Sequence, residues 1–405
     1  MQNLLARRRL LVAACVCVML VAACGPAPLG TGWPAVSLVE SVCGEEARQG
    51  IIVSYNDRIV IVNPANGQTL QLLNQDCEPR PPDQDGKAKV WDFRVTGAQR
   101  QFFSNPQRLD DQTLLALSYD QRFFHLDIAA ARSADGTEGI PIAGRSGHTV
   151  ADMLVTDDMI YVGLSAKDLV ALERDTFDVL WTAPTAHGVW AKPLLVENTI
   201  YFTSLDHFLY AVNAESGDLL WKLDVGGAAT STPLLYEDHL FLGTFGRKIF
   251  EITLDGEIIN EYATVEWIWG TPVIVDDILY AADLGGNVYA LDTNNNLSEI
   301  WRQTVATRAI RHTPLVVGDV IIVASRDQKI YWLNRANGSP VQDADGNPLV
   351  REVGGEILSD VMLITPGPSV DIEEPYVVVG TLAPGQLLLA YTLDNGENKW
   401  SYALP

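Results

Sequence analysis

Residues 193–221 read PLLVENTIYFTSLDHFLYAVNAESGDLLW, and this stretch decides the fold. It contains four short apolar runs that are separated by polar residues. The first three runs begin at Leu194, Ile200 and Phe208, and the fourth ends at Trp221. Strands of about 4–6 residues joined by tight polar turns are typical of an antiparallel meander. The stretch therefore predicts one four-stranded antiparallel sheet.

The same pattern recurs along the chain with a period near 40 residues. Pro193, Pro233, Pro272 and Pro314 follow one another at intervals of 40, 39 and 42 residues, and Met153 occupies the corresponding place one unit upstream. Such a period, with four strands in each unit, is typical of propeller blades. The apolar runs are continuous, as expected for strands that are buried on both faces. We predict an all-β chain that forms an eight-bladed β-propeller, with seven blades as the alternative.

The two ends of the chain follow the period less closely and leave two questions open. The outer strand of the first blade is predicted either at Gln71, which has the expected distance from the preceding turn, or at Trp91, whose neighbours resemble other outer strands. The ring closes either when the strand that carries Trp400 completes its own blade, or when residues 33–38 pair into the last blade.

The N-terminal residues resemble a bacterial lipoprotein signal. Three consecutive arginines from Arg7 precede an apolar run that ends LVAACG and is too short for a comfortable membrane span. We predict a signal peptide over residues 1–23, a lipid on Cys24 and a Gly- and Pro-rich tether over residues 24–35. This places the protein outside the cytoplasm, anchored to a membrane of the bacterial cell envelope. An ordinary cleaved signal with an incidental cysteine is the alternative.

Residues 36–405 are predicted to form a single propeller domain with inserted loops near 76–89 and 365–375, where the sequence leaves the period. Two cysteines belong to this domain, Cys43 and Cys77. Since an exported protein meets oxidising conditions, the pair is predicted to form a disulfide, and two buried free thiols are the alternative.

The charge of the chain argues against one class of partner. Its 51 acidic residues outnumber its 28 basic residues, which gives a net charge of −23. A surface of this sign repels phosphate backbones, so we expect no nucleic-acid binding.

Residues 201–221 and 280–301 resemble the PQQ-like propeller repeat. In that repeat an aromatic strand, a polar turn, a segment close to L-Y-A-L-D and a later tryptophan follow one another, here ending at Trp221 and Trp301. The resemblance implies that these tryptophans stack between neighbouring blades. The repeat occurs in quinoprotein dehydrogenases and in BamB-like lipoproteins, which are eight-bladed scaffolds for outer-membrane protein assembly. The signal, the acidic chain and the length resemble the second group.

The sequence motifs that could support catalysis are weak or missing. Quinoprotein dehydrogenases have a vicinal Cys-Cys pair and a calcium site, and this chain has no Cys-Cys pair. Residues 343–347 (DADGN) resemble part of a calcium loop, but a hairpin turn also favours Asp-Gly. The six histidines lack metal-binding spacing. We predict no enzyme activity, no catalytic residue, no cofactor and no metal ligand, with a PQQ-binding oxidoreductase as the alternative.

One group of residues is predicted to bind a partner. These residues lie just before the blade-opening prolines, in segments that crowd around one mouth of the central channel, and aromatic and Arg side chains are enriched at binding hot spots. The group consists of Trp190, Trp267, Trp269, Arg308, Arg311 and His312. The alternative is that the tryptophans pack blades and the arginines neutralise nearby acids.

We therefore predict a membrane-anchored extracytoplasmic propeller that acts as a non-catalytic scaffold or binding module for envelope or surface proteins. A surface module for glycans or other ligands is a further alternative.

Overall fold

The computed structural model describes residues 33–43, 46–74, 78–97, 100–145 and 147–404. The described strands form eight antiparallel sheets, seven of four strands and one with a fifth short strand. Within each sheet the strands lie side by side in chain order, except that the fifth strand of the five-stranded sheet pairs with the third strand. Each sheet is one blade, so the predicted eight-bladed propeller is confirmed and the alternative of seven blades is wrong.

The strand positions of a blade are called a to d, from the central channel outward. Blade 1 contains β1 Ala35–Cys43, β2 Glu46–Tyr55, β3 Arg58–Val62 and β4 Asp92–Arg94, and blade 2 contains β5 Gln107–Arg108, β6 Thr113–Leu117, β7 Arg122–Asp127, β8 Arg132–Ser133 and β9 Ile140–Pro141. Blade 3 contains β10 Leu154–Val155, β11 Met159–Gly163, β12 Leu169–Glu173 and β13 Val179–Ala183, and blade 4 contains β14 Leu194–Val196, β15 Thr199–Thr203, β16 Phe208–Asn213 and β17 Leu219–Asp224.

The other four blades repeat this order, and a short 3-10 helix, Thr293–Asn295, precedes the last strand of blade 6. Blades 5 to 8 contain β18 Leu234–Tyr236, β19 His239–Thr244, β20 Lys248–Thr253 and β21 Ile258–Ala263; β22 Val273–Val275, β23 Ile278–Ala282, β24 Asn287–Asp292 and β25 Ser298–Thr304; β26 Leu315–Val317, β27 Val320–Ala324, β28 Lys329–Asn334 and β29 Val350–Glu352; β30 Met362–Ile364, β31 Tyr376–Gly380, β32 Leu388–Thr392 and β33 Asn398–Tyr402.

Blade 4 shows how the sequence produces a blade. Leu194 pairs with Tyr201, Tyr201 with Ala211, and Ala211 with Trp221, so one row of residues crosses all four strands. The register shifts after Ala211, where a bulge changes the course of the outer strand. The two middle strands are almost fully buried because neighbouring blades cover both of their faces. The meander predicted for residues 193–221 is therefore present.

Tryptophans of the outer strands hold neighbouring blades together. The indole N–H of Trp221 donates a 3.0 Å hydrogen bond to the carbonyl of Leu254 in the next blade, and the hydroxyl of Tyr201 donates to the same carbonyl. Among the described residues, equivalent indole bonds occur at five of the eight seams and are donated by Trp91, Trp181, Trp221, Trp301 and Trp400. Each ring buries a large apolar area and satisfies a turn carbonyl.

The outer strands of blades 7 and 5 carry other side chains in this place, and the side chain of blade 5 bonds within its own sheet. Arg351 of blade 7 donates from Nε to the carbonyl of Gly396 at 2.9 Å. Asn260 of blade 5 stands opposite Glu251, as Trp221 stands opposite Ala211, and its amide donates to that carboxylate at 2.7 Å.

The structure answers both questions that the chain ends left open. Asp92–Arg94 forms the outer strand of blade 1, directly after Trp91, whereas Gln71 forms only an isolated bridge to Val90. The strand with Trp400 completes blade 8, and residues 35–43 form the innermost strand of blade 1. The indole of Trp400 donates to the carbonyl of Pro64 at 2.9 Å, so the ring is closed by blade packing.

Some predictions concern parts of the chain that are not described. The signal peptide 1–23, the lipidated Cys24 and the thiol of Cys77 lie outside the described residues, as does the side chain of Cys43. The lipid anchor and the disulfide between Cys43 and Cys77 stay predictions.

Candidate functional site: the linker mouth

The segments that join strand d of one blade to strand a of the next lie on one face of the ring. There they meet the b–c turns through a repeated backbone bond, in which a turn amide donates to a linker carbonyl, as Leu284 donates to Trp267 at 2.9 Å. The same bond forms in seven blades, with donors Tyr119, Ser165, Leu205, Phe245, Leu284, Arg326 and Leu382. We call the channel opening bordered by these linkers and turns the linker mouth.

Each linker places one side chain at an equivalent position of this mouth, because the residue before it is buried and fixes the backbone. Ile268, for example, is fully buried and separates Trp267 from Trp269. The equivalent mouth residues are Phe103, Val150, Trp190, Thr230, Trp269, Arg311 and Leu358.

Three of the predicted residues lie together over blades 5 to 7. The ring of Trp267 stacks on Phe245 with centroids 5.1 Å apart, and Trp269 lies 5.5 Å from Phe245. The guanidinium of Arg311 lies 4.4 Å from the centre of the Trp269 ring, within the range of a cation–π interaction. Trp267, Trp269 and Arg311 are each partly exposed. Together with Phe245 they form what we call the aromatic–arginine cluster.

A buried polar network fixes the linker that carries both tryptophans. Asp283, which is fully buried, accepts hydrogen bonds from the amide of Glu266 at 3.0 Å and from the hydroxyl of Tyr289 at 2.7 Å. The same hydroxyl accepts the amide of Val265 at 2.8 Å. Burial, and then the bond to Asp283, raise the pKa of Tyr289, so the hydroxyl keeps its proton. The aromatic side chains therefore project from a rigid backbone.

The other predicted residues have different surroundings. Arg308 is exposed and pairs with Glu356 at 2.9 Å, and Arg326 pairs with the same carboxylate at 2.8 Å. His312 is buried, and its Nε2 lies 2.7 Å from the amide nitrogen of Ala324, so it holds the backbone of blade 7 and adds no exposed surface.

Trp190 lies in a different linker of the mouth. Its indole donates to the carbonyl of Ser165 at 3.2 Å and remains partly exposed.

The sequence reasoning missed Phe245 and a second aromatic row over blades 1 to 3. In that row Trp33 lies 4.8 Å from Phe103, Phe103 lies 5.2 Å from Tyr119, and Tyr119 stacks on His148 at 4.0 Å. The signal was present for Phe103, which stands three residues before Pro106 as Trp190 does before Pro193. Phe245 and Tyr119 lie in b–c turns, and the repeat spacing does not show that these turns meet the linkers.

The residues that directly precede the blade-opening positions form hydrogen bonds from one blade to the next. Thr232 donates to the carbonyl of Lys192 at 2.9 Å, and Thr271 donates to the carbonyl of Thr232 at 3.2 Å. Asp152, which is partly exposed, accepts a hydrogen bond from the amide of Asn105 at 2.7 Å. Desolvation of its carboxylate by the surrounding protein raises the pKa of Asp152.

The structure also places the segments considered as metal sites. In the part of the chain that is described, no three His, Cys, Asp or Glu side chains lie close enough together to hold a metal ion. Asp343 accepts the amides of Asp345 and Asn347 at 3.0 and 2.9 Å, so residues 343–347 form a hydrogen-bonded hairpin turn. No described helix is both long and apolar enough to cross a bilayer.

Comparisons with known proteins agree with the fold. The computationally designed protein Ika8 matches with 13% identity and a TM-score of 0.60, over 90% of this chain and 98% of that one. BamB from Moraxella catarrhalis matches with 14% identity and a TM-score of 0.50, over 77% of this chain and 91% of that one. At these identities the likeness concerns the fold alone. No curated protein matches the sequence.

A family model matches the sequence itself over residues 88–342 and 263–405, which together span most of the chain. This agrees with the PQQ-like repeat recognised in residues 201–221 and 280–301, and with the blade order in the structure. The chain belongs to the β-propeller family described as outer membrane protein assembly factor BamB.

Proposed function

We propose that this protein is a lipid-anchored extracytoplasmic scaffold that binds a protein partner at the linker mouth and catalyses no reaction. The observation that carries the proposal is the aromatic–arginine cluster: Phe245, Trp267 and Trp269 stack beside Arg311 on a fixed backbone and are partly exposed. Pre-ordered aromatic and Arg side chains bind partners well because little conformational entropy is lost when they are covered.

Two further observations support this role. The family to which the chain belongs is described as an outer membrane protein assembly factor, which is a role exercised through protein contacts. The linkers around the mouth carry both signs of charge, whereas the chain as a whole is strongly acidic. A partner of either sign therefore meets no dominant repulsion at the mouth.

Photo-crosslinking in intact cells tests the proposal. A benzoyl-phenylalanine is placed at position 267, and a matched copy at Leu220, an exposed residue at the end of the outer strand β17 that is opposite the linker. We expect a discrete protein adduct at position 267 that is absent at position 220 and that Trp269→Ala weakens at least tenfold, since a hot-spot residue contributes about 2 kcal/mol or more. Absence of an adduct at position 267 in correctly folded protein, or equal adducts at both positions, would reject the proposal.

A further inference from the structure

The two openings of the channel differ sharply in charge. The turns that join strands a and b surround the opening opposite the linker mouth, which we call the far mouth. In blades 2 to 8, where these turns are described, they contain thirteen carboxylates and no Lys or Arg. The carboxylates belong to Asp110, Asp111, Asp157, Asp158, Glu197, Glu237, Asp238, Asp276, Asp277, Asp319, Asp371, Glu373 and Glu374.

The linker mouth is close to neutral by the same measure. The described residues of the d–a linkers contain four acidic and five basic side chains. These are Asp152, Glu266, Glu356 and Asp360, and Arg100, Arg145, Lys192, Arg308 and Arg311, with the blade 2 linker counted from the end of β9. The described b–c turns, which also border this mouth, add six acidic and three basic residues, so the mouth as a whole holds ten acidic and eight basic side chains. Arg174 and Arg335 reach the far-mouth turns from neighbouring loops, and Arg335 pairs with Asp276. The far mouth nevertheless remains strongly acidic and the linker mouth near neutral, so the molecule carries an electrostatic asymmetry along its channel axis.

The chain enters the propeller at the linker mouth. Trp33 packs on Phe103 of the first linker, with ring centroids 4.8 Å apart. Pro34 lies against Gly380, the last residue of a b strand, at the end where the b–c turn begins. Since Ala35 opens the innermost strand of blade 1, any segment that precedes Trp33 joins the propeller at the rim of the linker mouth.

The covalent distance from the predicted anchor is short. Nine Cα-to-Cα steps separate Cys24 from Trp33. A trans polypeptide reaches at most about 3.6 Å per residue, so the rim is held within about 32 Å of a lipidated Cys24.

We infer that the linker mouth faces the membrane that carries the anchor and that the far mouth points into the aqueous compartment. The inference rests on the anchoring through Cys24 in the proposed function. The short tether holds the rim near the bilayer, and anionic headgroups repel the far mouth while they attract or tolerate the near-neutral linker mouth. The aromatic–arginine cluster then meets partners in the space between the propeller and the bilayer.

Energy transfer on vesicles tests the orientation. The lipidated protein is inserted into vesicles of phosphatidylcholine and phosphatidylglycerol that contain a headgroup-labelled acceptor lipid. A donor dye is attached at Lys167→Cys, in the b–c turn of blade 3, or at Asp158→Cys, in the a–b turn of the same blade, in a Cys43→Ala, Cys77→Ala background. Strand β11 separates the two sites and spans about 17 Å. We expect transfer about twofold higher from position 167.

The outcomes separate this inference from the anchoring on which it rests. Equal transfer from both sites, or higher transfer from position 158, in vesicle-bound protein would overturn the orientation and leave the anchor intact. Protein that fails to bind vesicles, as the control Cys24→Ser is expected to fail, would overturn both. If the cysteine-free background does not fold, an azide-bearing amino acid placed at positions 167 and 158 of the otherwise unchanged chain carries the dye.

Discussion

Gly217 of blade 4 lies directly against the indole ring of Trp181 of blade 3. A β-carbon at Gly217 would stand 2.6 Å from that ring, and the residue has a φ of +73°. The turn therefore needs glycine for two reasons, a left-handed backbone and close contact with the tryptophan that joins the blades.

Gly217→Ala is expected to lower the free energy of unfolding by about 2–4 kcal/mol, since left-handed strain and a clash with a packed ring add together. Gly226→Ala is the matched control, because Gly226 has a φ of +70° with nothing within 4 Å of its β-carbon position. It should cost about 1 kcal/mol. Denaturant unfolding measures both variants, and equal losses would show that the ring contact contributes nothing.

Trp400→Ala should loosen both ends of the chain. No described linker joins blades 8 and 1, so their seam depends on packing and on hydrogen bonds, among them the indole bond from Trp400 to Pro64 and the backbone bond from Gln49 to Ser369. We expect faster amide hydrogen exchange in blades 1 and 8, whereas Trp221→Ala, at a seam that a linker bridges, should affect blades 4 and 5 less. Similar exchange increases in the two variants would contradict this view of the closing seam.

Asp152→Asn should stabilise the protein as the pH rises. The pKa of Asp152 is raised above its usual value, so the folded state holds this proton more tightly than the unfolded chain. The resulting stability is present at low pH and is lost as the pH increases through the folded-state pKa. Thermal melting from pH 4 to 8 should therefore show an advantage of the variant that grows with pH.

Asp110→Asn is the control of opposite sign. The backbone amide of Gln112 is the main group that lowers the pKa of Asp110. The carboxylate stabilises the fold above its unfolded pKa, and this stability is lost as the pH falls through the lower folded-state value. The variant should melt earlier than the parent at pH 7 and equally at strongly acidic pH. A shift of the same sign for both substitutions would contradict the assignment.

Salt should stabilise the protein by screening the far mouth. Glu197, Asp238 and Asp319 are exposed carboxylates in three of its turns. The variant Glu197→Gln, Asp238→Asn, Asp319→Asn is expected to melt at a higher temperature than the parent in 10 mM salt, where the Debye length is about 30 Å. The difference should disappear near 1 M salt, where it is about 3 Å. A difference that persists at high salt would point to a cause other than repulsion.

The fold was predictable because its repeat period is marked by residues that open each blade or pack at the seams between blades. The blade-opening prolines and the tryptophans that bridge blades recur at fixed distances, so strand order and blade count follow from spacing. The outer strand of blade 1 was ambiguous because residues 68–90 lengthen the segment between the turn at Gly67 and Trp91. A seam tryptophan at Trp91 was the decisive feature.

The candidate site was only partly predictable. Linker residues such as Trp269 and Arg311 could be placed at one mouth because connectivity fixes their face. Phe245 belongs to a b–c turn, and its contact with Trp267 depends on how a turn and a linker meet in space, which periodicity does not reveal. His312 lies in the same linker as Arg311. It is buried and bonded to the backbone of Ala324, a contact that the sequence does not reveal.

Each described blade is built from one continuous segment, so among the described strands no sheet combines the two ends of the chain. Circular permutation should therefore be tolerated at the linkers. Joining residue 404 to Trp33 through an added linker, as long as the d–a linkers elsewhere in the ring, and opening the chain in a linker such as 225–233 would leave all eight sheets intact. The position of the chain ends then decides where the propeller is attached and has no effect on how its blades assemble.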